Sequence, residues 1–318
     1  VTAAVDGLKA AMAKLTKANI SISGTVTNVN NAPVEGVVLT LENADYRPVG
    51  MTVTTGADGT YIFASKNGVE LLPGTYHIKA QGTGYLVTST AAVAISKLDG
   101  AKTVDIELAA EAPGAYVNDF NNGDTSMIGA LTDTDDIPTW EIVEYDGSKA
   151  LKVTFKSTAG ETRGINNAVD KSMKIKNGTV SFDVTGLTNA LRLGVTLRAL
   201  DENTRIFVGQ EDTEKKWFWE WWNGGTSSYE PPTIKDIGIY PMETRRVRVE
   251  LNEQNVQVFV DGVQIYNSTM TGAPTEAGWV GINMRNNAGT SYILDNLRIV
   301  STDAVEGVQN ISGVITAR

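Results

Sequence analysis

Short runs of alternating apolar and polar residues, separated by Gly, Pro, Asn and Asp, cover most of the chain. This period-two pattern is typical of β-strands between turns. In the C-terminal part it predicts eight strands, at residues 150–155, 179–184, 191–200, 205–208, 246–251, 255–260, 279–284 and 291–300. Asp261 and Gly262 lie between two of the apolar runs, which predicts a two-residue hairpin. Strands without intervening helices predict a two-sheet jelly roll.

The region before these strands, residues 19–110, also reads as short strands separated by turns, and it predicts a smaller all-β domain. Residues 3–17 differ, because their apolar positions recur at helical spacing and form one stripe: Val5, Leu8, Met12 and Leu15. They predict a short N-terminal helix that belongs to a preceding module. The predicted fold class is therefore all-β, with this short helix in front.

The chain has 318 residues, which exceeds the usual size of one domain and predicts two. The expected boundaries are a helix at 1–18, a sandwich at 19–110, a jelly roll at 115–302 and a linker at 303–318. Residues 311–316 (ISGVIT) repeat the pattern of residues 22–27 (ISGTVT), so we expect 303–318 to include the start of a following repeat. The chain reads as an excerpt of a longer protein.

Charge and cysteine content narrow the possible partners. The net charge of −10 argues against nucleic acid, which needs a concentrated basic face, and against anionic membrane surfaces. No apolar run reaches the ~18 residues of a membrane span. With no cysteine and one histidine, neither a disulfide nor a zinc site is expected. The absence of cysteine also fits a Gram-positive exoprotein, so we expect an extracellular or cell-wall location.

Five short motifs in the first region resemble the carboxypeptidase regulatory-like domain. They are residues 23–26 (SGTV), 33–37 (PVEGV), 58–63 (DGTYIF), 72–76 (LPGTY) and 84–85 (GY). The resemblance implies a seven-stranded β-sandwich that serves as a spacer or accessory module without chemistry of its own.

The second region resembles the concanavalin A-like or laminin G-like jelly rolls that accompany bacterial glycoside hydrolases and polysaccharide lyases. The residues that carry the resemblance are 118–123 (NDFNNG), 146–153 (DGSKALKV), 260–262 (VDG), 278–282 (GWVGI) and 294–299 (LDNLRI). Many such domains bind glycans on the concave sheet or its rim, some are catalytic and others are structural. A shared fold does not by itself decide among these roles.

Four of the six tryptophans lie within six residues: Trp217, Trp219, Trp221 and Trp222. On a strand the first three share one face, whereas Trp222 lies on the other face with Phe218. Clustered exposed aromatics mark interaction sites, and they predict a platform that stacks on a sugar ring. The alternative is that one face packs inward while the rest covers a sheet edge or a neighbouring domain.

Other candidate ligand contacts lie on neighbouring segments. If the strands at 191–200 and 279–284 share a sheet, Arg198, Asn283 and Arg285 form a polar patch opposite the core, where arginine forks would suit hydroxyls or a uronic carboxylate. Tyr229 lies in a Gly- and Ser-rich stretch, residues 223–229, that we expect to form a flexible lip. The alternative is that the arginines pair with acidic residues on adjacent strands.

Calcium is the one cofactor that the second resemblance implies. In such jelly rolls a structural ion often lies where the first segment meets the last strand, and Asp119, Asn122 and Asp295 offer hard oxygen ligands there. Aspartate and asparagine are also ordinary turn residues, so a purely structural role stays open.

Glycosidases of the fold that the second region resembles commonly carry a Glu-x-Asp-x-x-Glu run, which this sequence lacks. Glu141 and Glu144 come nearest, but at three positions apart they face opposite sides of a strand. Hydrolysis needs two carboxylates across one bond, and a pair assembled from distant strands stays possible. No catalytic residue is therefore predicted.

The sequence and its resemblances favour a non-catalytic carbohydrate-binding module with a spacer domain, from a secreted multimodular polysaccharide-degrading enzyme. The expected partner is a polysaccharide or oligosaccharide, without membrane insertion, and the chain is expected to be monomeric. The alternative is a structural or adhesion stalk of a bacterial cell-surface protein. The third hypothesis is a glycosidase or lyase whose set of catalytic residues is not recognisable from the sequence.

Overall fold

The computed structural model describes residues 20–66, 68–112, 116–130, 138–154, 166–188, 192–201, 203–210, 216–233, 237–285 and 290–303. At 130, 166–169, 171–172, 192–193, 230–233 and 282–285 only the backbone is described. The regular elements in these ranges are all strands, which confirms the all-β prediction. None of the described residues forms a helix long and apolar enough to cross a bilayer. The helix predicted for 1–18 and the repeat predicted near the C-terminus lie outside the described residues.

The first domain is a β-sandwich of two sheets. Its strands are β1 (Ser21–Asn28), β2 (Val38–Asn43), β3 (Pro48–Thr54), β4 (Thr60–Ala64), β5 (Gly74–Gln81), β6 (Thr88–Ser89), β7 (Val93–Ile95), β8 (Ala101–Thr103) and β9 (Ile106–Leu108). One sheet has the order β4-β1-β8 with β9 also on β1; the other has the order β3-β2-β5-β6 with β7 also on β5. If β6 with β7 and β8 with β9 are each counted as one interrupted strand, the expected seven strands are present.

The second domain is a larger sandwich. Its first eight strands are β10 (Tyr116–Asn118), β11 (Ile128–Ala130), β12 (Thr139–Tyr145), β13 (Ser148–Thr154), β14 (Asn166–Ile175), β15 (Gly178–Gly186), β16 (Arg192–Asp201) and β17 (Thr204–Gln210). The remaining strands are β18 (Trp217–Asn223), β19 (Thr226–Thr233), β20 (Thr244–Asn252), β21 (Asn255–Val260), β22 (Val263–Thr269), β23 (Gly278–Arg285) and β24 (Ser291–Ser301). Each of the eight strands predicted from the sequence coincides with one of these.

Two sheets face each other in this second domain. The eight-stranded sheet has the order β12-β13-β24-β15-β20-β21-β22, with β10 on β24, and the seven-stranded sheet has the order β11-β14-β23-β16-β17-β18-β19. Neighbours far apart in sequence, such as β15 beside β24, indicate the crossovers of a jelly roll. Alternate residues of both sheets, such as Phe182, Val249, Val195 and Val208, are buried in one shared core. Burial of each such side chain contributes roughly 1.5–3 kcal/mol.

The two domains have separate apolar cores but share a charged interface. Arg245, at the start of β20, donates to the Asp261 carboxylate at 2.8 Å and to the Tyr46 carbonyl of the first domain at 2.9 Å. Arg47 of the first domain forms a partly exposed ion pair with Glu243 at 3.0 Å. These contacts join the first domain to the strand ends of the eight-stranded sheet.

Glu42 of the first domain is fully buried at this interface. The Lys79 ammonium lies 3.7 Å from its carboxylate and the Arg245 guanidinium lies 3.9 Å away. Burial raises the pKa of Glu42 to about 7, against the opposing effect of the Lys79 charge. Residues of both domains therefore surround the Glu42 carboxyl group, with Lys79 from the first domain and Arg245 from the second.

Gly262, in the turn between β21 and β22, shows how closely the domains approach. Its φ of +82° favours glycine, and an added Cβ would lie 2.5 Å from the Val87 carbonyl oxygen and 2.7 Å from the Thr88 Cα of the first domain. The Asp261-Gly262 hairpin predicted from the sequence is therefore also a contact point between the two domains.

Candidate functional site

The tryptophan-rich strand β18 presents its two faces to different surroundings. Trp217, Trp219 and Trp221 are only 1%, 5% and 4% exposed and belong to the core between the two sheets. The Trp217 indole N–H donates to the Ile237 carbonyl at 2.9 Å. The expectation that these three residues stack on a ligand is wrong, because a buried ring offers no face to a sugar.

The outer face of the seven-stranded sheet, turned away from this core, carries the other residues of β18. Phe218 lies between Phe207 of β17 and Tyr229 of β19, with ring centroids 5.5 and 5.4 Å apart. Phe207 and Phe218 are buried, whereas Tyr229 is 43% exposed. Tyr229 belongs to strand β19, which pairs with β18, so the prediction of a flexible lip at 223–229 is wrong.

Trp222 is the member of the tryptophan cluster that reaches this outer face and is only partly buried. It pairs with Arg205 across β17 and β18, and the Arg205 guanidinium carbon lies 4.0 Å from the ring centroid. Such cation–π packing holds a ring in one orientation. The opposite neighbour of Trp222 is the exposed Ser227 of β19.

Trp279 of β23 is a residue that the sequence analysis did not select. It alternates with the core residue Val280, so it lies on the outer face, where the Lys174 ammonium is 4.7 Å from its ring centroid. Strands β16 and β17 separate it from Trp222, a distance of ~14 Å at about 4.8 Å per strand. Trp279 is isolated in the sequence, so no cluster of aromatic residues indicates a role for it. Only the order of the strands shows that it lies on the same face as Trp222.

Small residues lie between these aromatic side chains on the outer face, and they are buried. Gly194 of β16 pairs with Gly209 of β17, and Thr196 pairs with Gly281 of β23. A Cβ added to Gly194 would collide with the Val208 backbone, so only glycine fits there. Glycine inside a strand often marks a close approach of another backbone or a ligand.

The sequence also predicts a polar patch on this face, formed by Arg198, Asn283 and Arg285. Register places Asn283 opposite Gly194 and Arg285 opposite Arg192, but the side chains of Asn283 and Arg285 lie outside the described part. Their role as ligand contacts stays a prediction.

Arg198 departs from the sequence expectation. It is fully buried and donates to the carbonyls of Lys176 and Pro274, each at 2.7 Å. A register shift between Leu197 and Asp201 turns its side chain away from the outer face. Arg198 therefore ties together segments at the end of the sandwich, and its predicted contact with a ligand is wrong.

The expected calcium ligands lie on two segments. Burial raises the pKa of Asp295, on β24, to about 6, with added repulsion from the charges of Asp183 and, to a smaller extent, Asp119. The Asn122 side-chain oxygen instead accepts the Asp124 amide at 2.8 Å, an ordinary turn contact. Among the described residues no group of three His, Cys, Asp or Glu side chains is arranged to hold a metal. The role of Asp119, Asn122 and Asp295 as calcium ligands stays a prediction.

Asp295 also lines a polar pocket of about 320 Å³ between the domains. Lys79 and Gln81 of the first domain face Asp183 and Arg246 of the second across this pocket. Asp183 is already paired with Arg246 at 3.4 Å, and Lys79 lies 3.6 Å from Asp261. The pocket is thus a charged part of the interface between the domains.

Carboxylates are sparse on the central outer face. Glu220 is the one acidic residue of β17 and β18, and register places it between Phe207 and Tyr229. Glu141 and Glu144 are exposed on the distant edge strand β12, where Glu141 pairs with Lys152 at 2.8 Å.

Comparison with known proteins identifies the first domain. Residues 21–109 match the family model of the carboxypeptidase regulatory-like domain, in agreement with the resemblance drawn from the sequence. No curated protein matches the chain.

Several solved structures are similar to this chain in overall shape. The carbohydrate-binding module CBM66 from Bacillus subtilis is 11% identical with a TM-score of 0.40, covering 54% of this chain and 93% of that one. A Bacillus licheniformis β-glucanase is 12% identical with a TM-score of 0.42, covering 61% and 100%. A family 16 endo-glucanase from Bacteroides ovatus is 10% identical with a TM-score of 0.45, covering 58% and 99%.

Proposed function

We propose that the chain is a non-catalytic carbohydrate-binding unit that holds a polysaccharide or oligosaccharide on the outer face of the seven-stranded sheet. The observation that carries the proposal is the set of aromatic rings that remain exposed or partly exposed around a buried centre of this face. Tyr229 is exposed, Trp222 and Trp279 are partly exposed, and the central Gly194 and Gly209 are buried. Sugar rings have apolar C–H faces and polar rims, which suit contact with such rings.

The placement of the first domain supports this assignment. Its contacts with the second domain lie at Arg245, Asp261 and Gly262, all in the eight-stranded sheet or its turns. The first domain would then act as a spacer that leaves the opposite sheet free. In a secreted multimodular enzyme, such a module raises the effective concentration of substrate near a tethered catalytic domain. We place the protein outside the cell or in the cell wall and expect a monomer.

Replacing Trp222 with alanine is expected to weaken polysaccharide binding about tenfold, or ~1.4 kcal/mol, because one stacking surface is lost. Affinity electrophoresis across a polysaccharide panel would identify a ligand, and titration calorimetry would then compare the variants. Phe259→Ala is the matched control. Phe259 also packs under an arginine, with the Arg248 guanidinium carbon 3.6 Å from its ring centroid, but it lies on the eight-stranded sheet. Equal affinities of the two variants would exclude Trp222 from the binding surface.

The second candidate function is a structural or adhesion stalk of a cell-surface protein. The buried ion pairs of Arg245 with Glu42 and of Lys79 with Asp261 join the two domains and favour it, since such an interface stiffens a two-domain segment. The two hypotheses differ in one measurement. A stalk should bind none of the polysaccharides in the panel, and neither Trp222→Ala nor Phe259→Ala should then alter any interaction with sugar.

We further propose that Asp119 and Asp295 hold a structural calcium ion, which would relieve the repulsion between these carboxylates. Removal of calcium with a chelator is expected to lower the melting temperature, because a ligand that binds only the native state stabilises it by mass action. Asp295→Asn should abolish this response in differential scanning calorimetry, whereas Asp45→Asn, on the exposed surface of the first domain, should retain it. Identical melting curves with chelator and with added calcium would show that the protein binds no stabilising calcium ion.

A further inference from the structure

Strand β2 of the first domain turns one glutamate toward the second domain. Leu39 and Leu41 point into the core of the first sandwich, so Glu42 lies on the opposite face of its sheet. Glu42 is nevertheless fully buried. The second domain covers this face, with the Arg245 guanidinium 3.9 Å from the Glu42 carboxylate. The burial of Glu42 therefore depends on the docking of the two domains.

Charged and titratable groups from both domains surround Glu42. Register places His77 of β5 opposite it, and the Lys79 ammonium of the same strand is 3.7 Å from its carboxylate. The Tyr46 ring stacks on the His77 ring, with the centroids 3.9 Å apart. The second domain contributes Arg245 at the start of β20, its ion-pair partner Glu243, and Asp261 in the turn between β21 and β22.

The two buried carboxyl groups of this cluster differ in their hydrogen bonds. Asp261 accepts from the Arg245 guanidinium at 2.8 Å and from the Arg246 amide at 2.9 Å. Neither oxygen of Glu42 accepts a hydrogen bond from the described residues. A buried carboxylate without hydrogen bonds is costly, so ionisation of Glu42 is disfavoured while the domains are docked. In agreement, burial raises the pKa of Glu42 to about 7.

We propose that Glu42 makes the docking of the two domains dependent on pH. A neutral Glu42 fits the closed interface, whereas an ionised Glu42 gains hydration when the domains separate. The docked state therefore takes up a proton as it forms, so docking is strongest in mild acid and weakens as the pH rises toward about 7. Above that value Glu42 is ionised in both arrangements and the dependence ends. The proposal is independent of the glycan face.

Ser89 offers a probe of domain separation, because the chain contains no cysteine and a single thiol can be introduced. Ser89 pairs with Lys79 across β5 and β6 and so lies on the same covered face. Its hydroxyl is buried without a hydrogen bond to the described residues, so Ser89→Cys disturbs little. Labelling of this thiol in the full chain by methyl methanethiosulfonate measures how often the domains separate. Leu98→Cys, at a position 90% exposed, corrects for the pH dependence of the reagent.

The labelling rate of Ser89→Cys, relative to that of Leu98→Cys, is expected to rise about tenfold per pH unit between roughly pH 5 and 7 and to level off above. Adding Glu42→Gln, a neutral side chain of similar shape, should abolish this rise. Glu70→Gln, at an exposed glutamate of the same domain, is the matched control and should retain it. A rate that does not depend on pH in the parent, or an unchanged dependence with Glu42→Gln, would overturn the proposal.

Two further variants test other origins of the same effect. Histidine side chains also change charge near neutral pH, so His77→Gln should retain the pH dependence, and its loss there would assign the effect to His77 instead. Val26→Cys, in the core of the first sandwich, reports unfolding and is expected to be labelled at least tenfold more slowly than Ser89→Cys. Equal rates for these two thiols would show that the first domain unfolds and would contradict a separation of intact domains.

Discussion

Replacing Trp217 with alanine is expected to destabilise the second domain by about 3–5 kcal/mol, the cost of removing a large buried aromatic side chain. The indole is almost completely buried and donates to the Ile237 carbonyl, so the substitution leaves both a cavity and an unpaired buried acceptor. Urea unfolding followed by tryptophan fluorescence and circular dichroism measures the change. Binding of any sugar should be unaffected under conditions in which the variant stays folded.

Trp222→Ala is the matched control on the same strand. Trp222 is only partly buried, and its loss removes chiefly the packing against Arg205, so we expect a cost of about 1 kcal/mol. The two variants should therefore show opposite patterns, with Trp217→Ala affecting stability and Trp222→Ala affecting affinity. A similar destabilisation by both would mean that Trp222 also belongs to the core.

Replacing Arg245 with methionine is expected to cost about 3–5 kcal/mol, because it removes one of the two cations that the buried Asp261 and Glu42 share and leaves only Lys79 beside both carboxylates. Equilibrium unfolding in urea would measure the loss. Loss of the Tyr46 contact should also loosen the first domain, visible as faster hydrogen exchange at the interface.

The interface offers a control and a rescue. Arg47→Met removes a partly exposed ion pair with Glu243 and is expected to cost ~1 kcal/mol or less. The double variant Arg245→Met with Asp261→Asn removes both charges of the shortest pair and should recover part of the stability, because less uncompensated charge stays buried. Equal losses from Arg245→Met and Arg47→Met would show that Arg245 is solvated in solution.

In strand β18 the sequence predicts which side chains share a face, but not which face is buried. Alternation predicts that Trp217, Trp219 and Trp221 share a face and that Trp222 lies on the other. Both faces are aromatic, so the local pattern favours neither as the core. The choice is made by the sheet that packs opposite, through residues such as Phe182 and Val249.

The positions of Arg198 and Trp279 could not be predicted from the sequence either. A regular strand would place Arg198 on the outer face, but the register shift before Asp201 turns it inward toward the carbonyl of Lys176. Such a shift depends on how β16 pairs with its neighbours and has no clear signature in its own sequence. Trp279 lies on a correctly predicted strand, and only the sheet order places it on the same face as Trp222.

The contacts between the two domains could not be predicted from short-range sequence patterns. Glu42 and Arg245 are about two hundred positions apart in the sequence, and each would ordinarily be read as a solvated surface residue. The hairpin signal at Asp261 and Gly262 correctly predicts a turn, but not that the turn meets Val87 in the other domain.

By itself, the sequence determined the all-β class, most strand positions and the resemblance of the first domain, since these follow from side-chain periodicity and turn chemistry within a few residues. The tertiary structure decided which tryptophans are buried, where Arg198 points and which charges the two domains enclose. These features depend on strand pairing and on the packing of distant segments. Short-range patterns contain no information on what will lie opposite a given side chain, and that neighbour decides whether the side chain is core or surface.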